Sequence, residues 1–158
     1  MSSATADALG PLHDYVEYDH ASDNFRDEVL QGLRQSPKRL PSKYFYDERG
    51  SQLFDDICEL PEYYPTRTEM ALLRTMSSDV AALVGEGATV IEFGSGSSTK
   101  IRILLDALDD PLAYVPVDIS REHLLVSAKD LAGSYPDLRV VPVCADYTQP
   151  FDVPEIAR

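Results

Sequence analysis

Ala88-Thr-Val-Ile-Glu-Phe-Gly-Ser-Gly-Ser-Ser-Thr-Lys100 decides how this chain is read. Thr89, Val90, Ile91 and Phe93 favour an extended, packed backbone, so the stretch begins as a short buried strand. It breaks at glycine. Gly94 and Gly96 carry no Cβ, which lets the backbone turn sharply and come close to a ligand. Ser97, Ser98 or Thr99 can then cap a helix whose first N–H groups point back at the same spot. The order strand, glycine turn, helix implies a ligand held against bare backbone at the end of a central strand.

The variant of the loop narrows the ligand. The nucleotide fingerprint Gly-x-Gly-x-x-Gly would put a third glycine at position 99, and Thr99 stands there. Glu92 lies two residues before the first glycine, where a carboxylate repels a pyrophosphate and suits a cation. This favours S-adenosylmethionine, with its sulfonium and ammonium, over NAD or FAD. A lone Gly-x-Gly is weak evidence, and a purely structural turn is the competing reading.

The bulk properties exclude several classes. With 14 basic and 27 acidic residues in 158, the net charge is −13, which argues against nucleic-acid or anionic-membrane partners. No run of about 18 apolar residues predicts a membrane span. Residues 1–10 are small and polar with no signal-like apolar core. Cys58 and Cys144 each sit in an apolar segment and read as reduced, buried thiols of a cytoplasmic protein. Neither has a second Cys or a His at metal-ligand spacing, so no metal site is expected. His13, His20 and His123 are scattered and take packing or surface roles by default.

The chain divides into a frayed N-terminus over 1–21, a helical segment over 22–86 and a strand–helix alternation over 87–158. In the helical segment Asp23 can cap a helix with an apolar stripe of Phe25, Val29, Leu30 and Leu33. Ser51 can cap a short helix carrying Leu53, Phe54, Ile57 and Leu60. Thr66 and Glu69 match a capping box ahead of a helix that buries Leu72, Leu73, Met76, Val80, Leu83 and Val84. The second part reads as strands at 89–93, about 113–117 and 138–143, with helices between them. Pro116 argues mildly against a central position for the second strand. The β-α-β-α-β order predicts parallel strands with right-handed crossovers and a ligand at their carboxyl ends.

The next two strands close in suitable groups. The second ends at Asp118, 24 residues past Gly94, where a carboxylate can accept from both ribose hydroxyls. The third ends at Asp146-Tyr147, a carboxylate for an adenine amine with an aromatic neighbour. Each Asp alone reads more simply as a cap or turn. Together, at successive strand ends, they favour a nucleoside-containing ligand.

Longer blocks carry a family resemblance. Leu40-Pro-Ser-Lys-Tyr-Phe-Tyr-Asp47, Gly50-Ser-x-Leu-Phe-Asp55, Leu60-Pro-Glu-Tyr-Tyr-Pro-Thr-Arg-Thr-Glu69 and Glu92-Phe-Gly-Ser-Gly-Ser-Ser-Thr-Lys100 resemble the N-terminal half of the histidine-specific, S-adenosylmethionine-dependent methyltransferases of ergothioneine biosynthesis. Those enzymes trimethylate the α-amino nitrogen of L-histidine to give hercynine. The resemblance covers roughly residues 22–150, and its most specific block is Leu60 to Arg67. It implies an α/β fold, a helical segment followed by the first half of a Rossmann-like class I methyltransferase sheet. It places Gly94 against the methionine part of the cofactor, Lys100 near its carboxylate and Asp118 on its ribose. It places Asp146 and the backbone of Tyr147 on the adenine, a position where the family often has Phe. It puts Tyr63 on the histidine substrate and Tyr46 beside the amine that receives the methyl group.

The chemistry suits these residue types. Methyl transfer from a sulfonium mainly needs a neutral amine brought into line with the methyl carbon. A tyrosine hydroxyl or water beside the amine serves as acceptor or relay. The donor loses charge during transfer, so Glu92 should orient the loop or the cofactor ammonium and should not face the sulfur. The resemblance further implies a downstream half that grips the histidine carboxylate and imidazole. None of it can be matched here, so a missing C-terminal half or self-association across an open sheet edge is expected, with weak activity for these residues alone. Two alternatives stay open: a methyltransferase of this fold acting on another small amine or amino acid, and a non-catalytic binding module. A dehydrogenase reading is weakest, for want of glycine at 99.

Overall fold

The computed structural model describes residues 12, 14–18 and 24–156. A parallel sheet forms its centre. Strand β2 (Thr89–Phe93) pairs with β3 (Ala113–Asp118), Thr89 beside Ala113 and Phe93 beside Val117. The other side of β3 carries β4 (Arg139–Val140) and β5 (Val143–Cys144). Strand β1 (Val16–Glu17) adds to β5. Helices α4 (Thr99–Leu105) and α5 (Arg121–Ser134) make the crossovers. Every pairing is parallel, as the β-α-β-α-β order requires.

The core has two faces divided by β3. Tyr114 packs with Ile101, Leu105, Leu124, Leu131 and Val140 on the side of α4 and α5. Val115 and Val117 pack with Val141, Val143 and Ala145 on the other, beneath Val16, Tyr18, Phe151 and Ile156. Residues 113–117 are all buried, the signature of a strand covered on both faces.

Pro116 is therefore central, against the sequence expectation. Even-numbered residues of β3 turn their backbone groups toward the β4–β5 side: Tyr114 O accepts from Val141 N (2.9 Å) and Asp118 O from Ala145 N (3.0 Å). The N–H that Pro116 lacks would point at the gap between β4 and β5, where Pro142 interrupts the neighbouring strand. No ladder bond is lost, so the usual objection to a central proline does not apply. The same gap splits the expected 138–143 strand in two.

The N-terminus also departs from expectation. Residues 14–18 are not frayed: Val16 N donates to Pro142 O (3.1 Å), Tyr18 N donates to Cys144 O (3.0 Å), and Leu12 and Tyr15 are buried. Apolar side chains on both faces of so short a strand leave no alternation to read. Residues 1–11, 13 and 19–23 lie outside the described residues, and so does the cap expected from Asp23.

Helix α1 (Phe25–Arg34) begins after Asn24 with no side-chain cap bond. A 3₁₀ turn (Ser42–Phe45) leads to α2 (Glu48–Glu59), whose cap is Asp47 and not Ser51. Asp47 Oδ1 accepts from Gly50 N at 2.7 Å, which satisfies an otherwise unpaired first-turn donor. Helix α3 (Tyr64–Val84) starts ahead of the expected capping box. Pro65 in its first turn needs no partner for an N–H it lacks. Thr66 Oγ1 instead donates to Cys58 Sγ (3.3 Å), and Glu69 turns to Lys100.

The apolar faces of this segment are only partly covered. On α3, Leu73 and Val80 are half-buried, whereas Leu72, Met76, Val84 and Leu83 (89% exposed) face outward. Phe25, Leu30 and Leu33 on α1 are likewise exposed. The expected stripes exist, but among the described residues little packs on them.

Gly50 has a packing reason: a Cβ there would lie 1.7 Å from the Phe45 carbonyl oxygen. Gly50→Ala is expected to lower the unfolding free energy by about 2 kcal/mol or more. A lower urea midpoint at unchanged slope reads this out; an unchanged midpoint would mean that the 3₁₀ turn does not press on α2.

Candidate functional site

The carboxyl ends of the strands meet the helical segment across a cavity of about 390 Å³, within the range of small-ligand pockets. The sheet side contributes Phe93, Gly94, Gly96, Lys100, Asp118 and Tyr147. The helical side contributes Ser42, Tyr46, Ser51, Phe54 and Asp55. A second cavity of about 400 Å³ lies at the opposite end, lined by Glu86, Asp110 and Asp137. Parallel sheets bind ligands at the carboxyl ends of their strands, so the first cavity is the candidate.

Backbone geometry there is unusual for a reason. Gly94 (φ +71°) and Gly96 (φ +51°) both occupy the left-handed region. A Cβ on Gly96 would meet nothing within 4 Å, and one on Gly94 would meet only Tyr147, its Oη at 3.4 Å. The loop thus presents bare backbone to open space. Gly94 N donates to Val117 O (2.8 Å), closing the turn onto the buried strand.

Asp118 holds the loop in place. Its Oδ2 accepts from Gly96 N (3.1 Å) and its Oδ1 from Ser120 N (2.9 Å). A carboxylate offers about four acceptor positions, so two backbone bonds leave capacity for a polyol. Ser98 occupies the cap position of α4 in a left-handed conformation (φ +56°) but makes no side-chain cap bond.

Lys100 lines the cavity and pairs with Glu69 of α3 (Nζ to Oε2, 2.9 Å). Both side chains are well exposed, so exchanging Glu69 for another carboxylate costs at most about 1 kcal/mol. Glu92 does not line the cavity. It accepts a hydrogen bond from Tyr114 Oη (2.5 Å). Burial pushes the Glu92 carboxyl above its ordinary range, against the opposing pull of the Tyr114 hydrogen bond and the Lys100 charge. Burial and the neighbouring Glu92 push the Tyr114 hydroxyl up as well.

The remaining residues singled out from the sequence fall around the same cavity. Tyr46 lines it, its ring edge-on to Phe54 at 6.2 Å. Tyr63 is half-buried behind Phe54, ring centres 6.0 Å apart, and does not line the cavity. Tyr147 lines it with its ring, which also packs edge-on against Phe93 at 5.8 Å. Asp146 stands just outside. Its Oδ1 accepts from Thr148 N (3.0 Å) and Thr148 Oγ1 (2.5 Å), and its Oδ2 is 3.5 Å from Lys43 Nζ. Burial alone would raise the Asp146 carboxyl; the Thr148 bonds and the Lys43 charge outweigh it and hold it below its usual range.

Six lining positions escaped the sequence reading, Ser42, Ile119 and four that join α2 to α5. Ser51, Phe54 and Asp55 share one helical face at i, i+3 and i+4, a period legible once α2 is placed. His123 is the fourth. Its Nε2 lies 3.7 Å from Asp55 Oδ2, bridging α5 to α2, and no pattern in the sequence links two residues so far apart.

The donor set fits an adenosyl amino acid. Bare glycine backbone faces the cavity, one ammonium (Lys100) can meet a carboxylate, and one carboxylate (Asp118) can meet vicinal hydroxyls.

Glu92 yields a signed pH test. A carboxyl raised in the folded state contributes stability below its unfolded value, near 4.5, and loses it as pH climbs through the folded value. Glu92→Gln keeps an acceptor for Tyr114 and removes the buried charge. Compared between about pH 4 and 8, the variant is expected to gain stability relative to wild type as pH climbs above the unfolded value, the gain levelling off past the folded value. A flat difference in denaturant midpoints across that range would refute the buried-charge account.

Comparison with known proteins identifies the family. Residues 25–157 match the family described as histidine-specific methyltransferase, SAM-dependent. The histidine N-alpha-methyltransferase of Mycolicibacterium smegmatis is 40% identical over 151 residues, covering 93% of this chain and 47% of that protein. The histidine N-alpha-methyltransferase of Mycobacterium tuberculosis is 42% identical over 127 residues, 78% of this chain and 39% of that protein. Ergothioneine biosynthesis protein 1 of Neurospora crassa is 39% identical over 106 residues, 64% of this chain and 12% of that protein. The chain spans less than half the length of these curated relatives. With the family match running from α1 through the end of the described sheet, the chain belongs to the SAM-dependent, histidine-specific methyltransferases.

Proposed function

We propose that the whole protein transfers methyl groups from S-adenosylmethionine to the α-amino nitrogen of L-histidine, giving trimethylhistidine (hercynine) for ergothioneine biosynthesis. The observation that supports this most is the single cavity shared by Tyr46, Gly94, Lys100, Asp118 and Tyr147. In this reading residues 22–86 form the substrate side and 87–158 the first part of the cofactor unit. A cytoplasmic location accords with the reduced thiols Cys58 and Cys144, the latter pushed up to about 12 by burial and nearby Glu17. Among the described residues no helix is long and apolar enough to cross a membrane.

The cofactor, when bound, supplies a methyl group on a positively charged sulfur that leaves as a neutral thioether. The protein's share is placement. Gly94 lets the chain lie against the methionine portion, and Lys100 exchanges Glu69 for its carboxylate. Asp118 takes the ribose hydroxyls, and Asp146 with the Tyr147 backbone takes the adenine. Tyr63 contacts the histidine, and the Tyr46 hydroxyl accepts a hydrogen bond from its amine and relays the proton to water. In-line positioning of this kind accounts for several kcal/mol of barrier lowering without covalent participation.

Isothermal titration of the full-length protein with S-adenosylhomocysteine tests the cofactor half. Asp118→Asn loses one of two backbone anchors and is expected to weaken binding at least about tenfold. Undiminished affinity would remove Asp118 from the site. Mass spectrometry of histidine incubated with full-length protein and cofactor tests the reaction. Successive gains of one, two and three methyl masses are expected. Methylation of a different amine with histidine untouched would reassign the substrate, and no methylation of any amine would leave a binding module.

A further inference from the structure

The Leu40–Asp47 block contains Lys43, which the proposed reaction does not yet use. Lys43 stands between two carboxylates from distant parts of the chain. Its Nζ is 3.2 Å from Glu28 of α1 and 3.5 Å from Asp146 Oδ2 beyond β5. Glu28 is itself anchored: Tyr44 Oη donates to its Oε2 at 2.8 Å, and the Tyr44 and Lys43 hydrogen bonds hold its carboxyl below the ordinary range. The Lys43 ammonium also sits 5.2 Å from the centre of the Tyr44 ring. The lysine is thus fixed from behind before it reaches Asp146.

Asp146 is tethered differently at each oxygen. Its own turn bonds Oδ1 through Thr148, whereas Oδ2 faces the lysine. Carboxylate torsions are soft, so each tether narrows the directions an aspartate can take, and the lysine is one that reaches Oδ2. Partly exposed ion pairs add little to folding stability. What this one supplies is the direction of a carboxylate.

We propose that Lys43 is a positioning residue for cofactor recognition: by holding Asp146 Oδ2 against the Glu28–Tyr44 anchor, it aims the Asp146 carboxylate at the exocyclic amine of the adenine ring. The proposal rests on the reading of Asp146 given above. It makes purine selection a joint property of the strand end and the N-terminal helical segment. A 6-amino purine donates to a carboxylate; a 6-oxo purine sets an acceptor against it and is rejected in proportion to how firmly the carboxylate is held.

The test is the ratio of affinities for S-adenosylhomocysteine and S-inosylhomocysteine, measured by titration calorimetry on the full-length protein. Wild type is expected to prefer the adenosyl compound by about tenfold or more. Lys43→Met is expected to cut that preference at least about fivefold, and Lys43→Arg is expected to restore it. A merely structural lysine would weaken both compounds equally, so an unchanged ratio in Lys43→Met overturns the proposal and spares the adenine reading. A wild-type protein that binds both compounds equally overturns the adenine reading and this proposal with it. Should Lys43→Met fail to fold, Glu28→Gln decides: the proposal requires its ratio to fall too, and a wild-type ratio overturns it.

Discussion

The Asp118 carboxylate is the hinge of this structure. It closes the most buried strand of the sheet and accepts backbone N–H groups from two separate turns, the glycine loop at Gly96 and the entry to α5 at Ser120. A glycine loop alone is too free to hold one shape, because residues without Cβ carry the largest backbone entropy. Charge-assisted bonds to a rigid acceptor supply what the loop lacks. The acceptor is rigid because residues 113–117 have no exposed surface through which the strand could relax. The cavity follows from that constraint.

Around this frame the helical segment is attached at its polar points. Lys43 to Asp146, Glu69 to Lys100 and Asp55 to His123 each join a helical-segment residue to a residue at or beside the cavity. Such contacts are individually worth little. They define orientation, while the apolar faces of α1 and α3 stay largely open. Strand β2 is open in the same way. Among the described residues it pairs with β3 alone, and Ile91 and Phe93 are exposed although parallel strands are normally covered. The chain spans less than half the length of the relatives it matches.

Part of the cavity lining was legible in the sequence. Gly94, Asp118 and Tyr147 could be named because the fold puts functional groups at fixed offsets past each strand, and strand ends are visible as changes of hydrophobic period, whereas Lys100 and Tyr46 were named only through the family resemblance. Local chemistry was less legible. Asp47 and not Ser51 caps α2, since either side chain could serve and only the placement of Gly50 against Phe45 decides between them. Pro116 looked wrong for a central strand until Pro142 was found beside it, and that pairing depends on register. The short strand at Val16 carried no period at all.

By itself the sequence determined the helices of the first part, the parallel β-α-β-α-β alternation of the second and the family, because these reside in patterns of neighbouring residues and in contiguous motifs. Only the tertiary structure decided which residues face one another: Asp55 with His123, Lys43 with Asp146, Tyr147 over Gly94. These pairs lie far apart along the chain. The first two pairs meet through how the helical segment seats on the sheet and the third through the order of strands within it, consequences of three-dimensional packing that no linear spacing records.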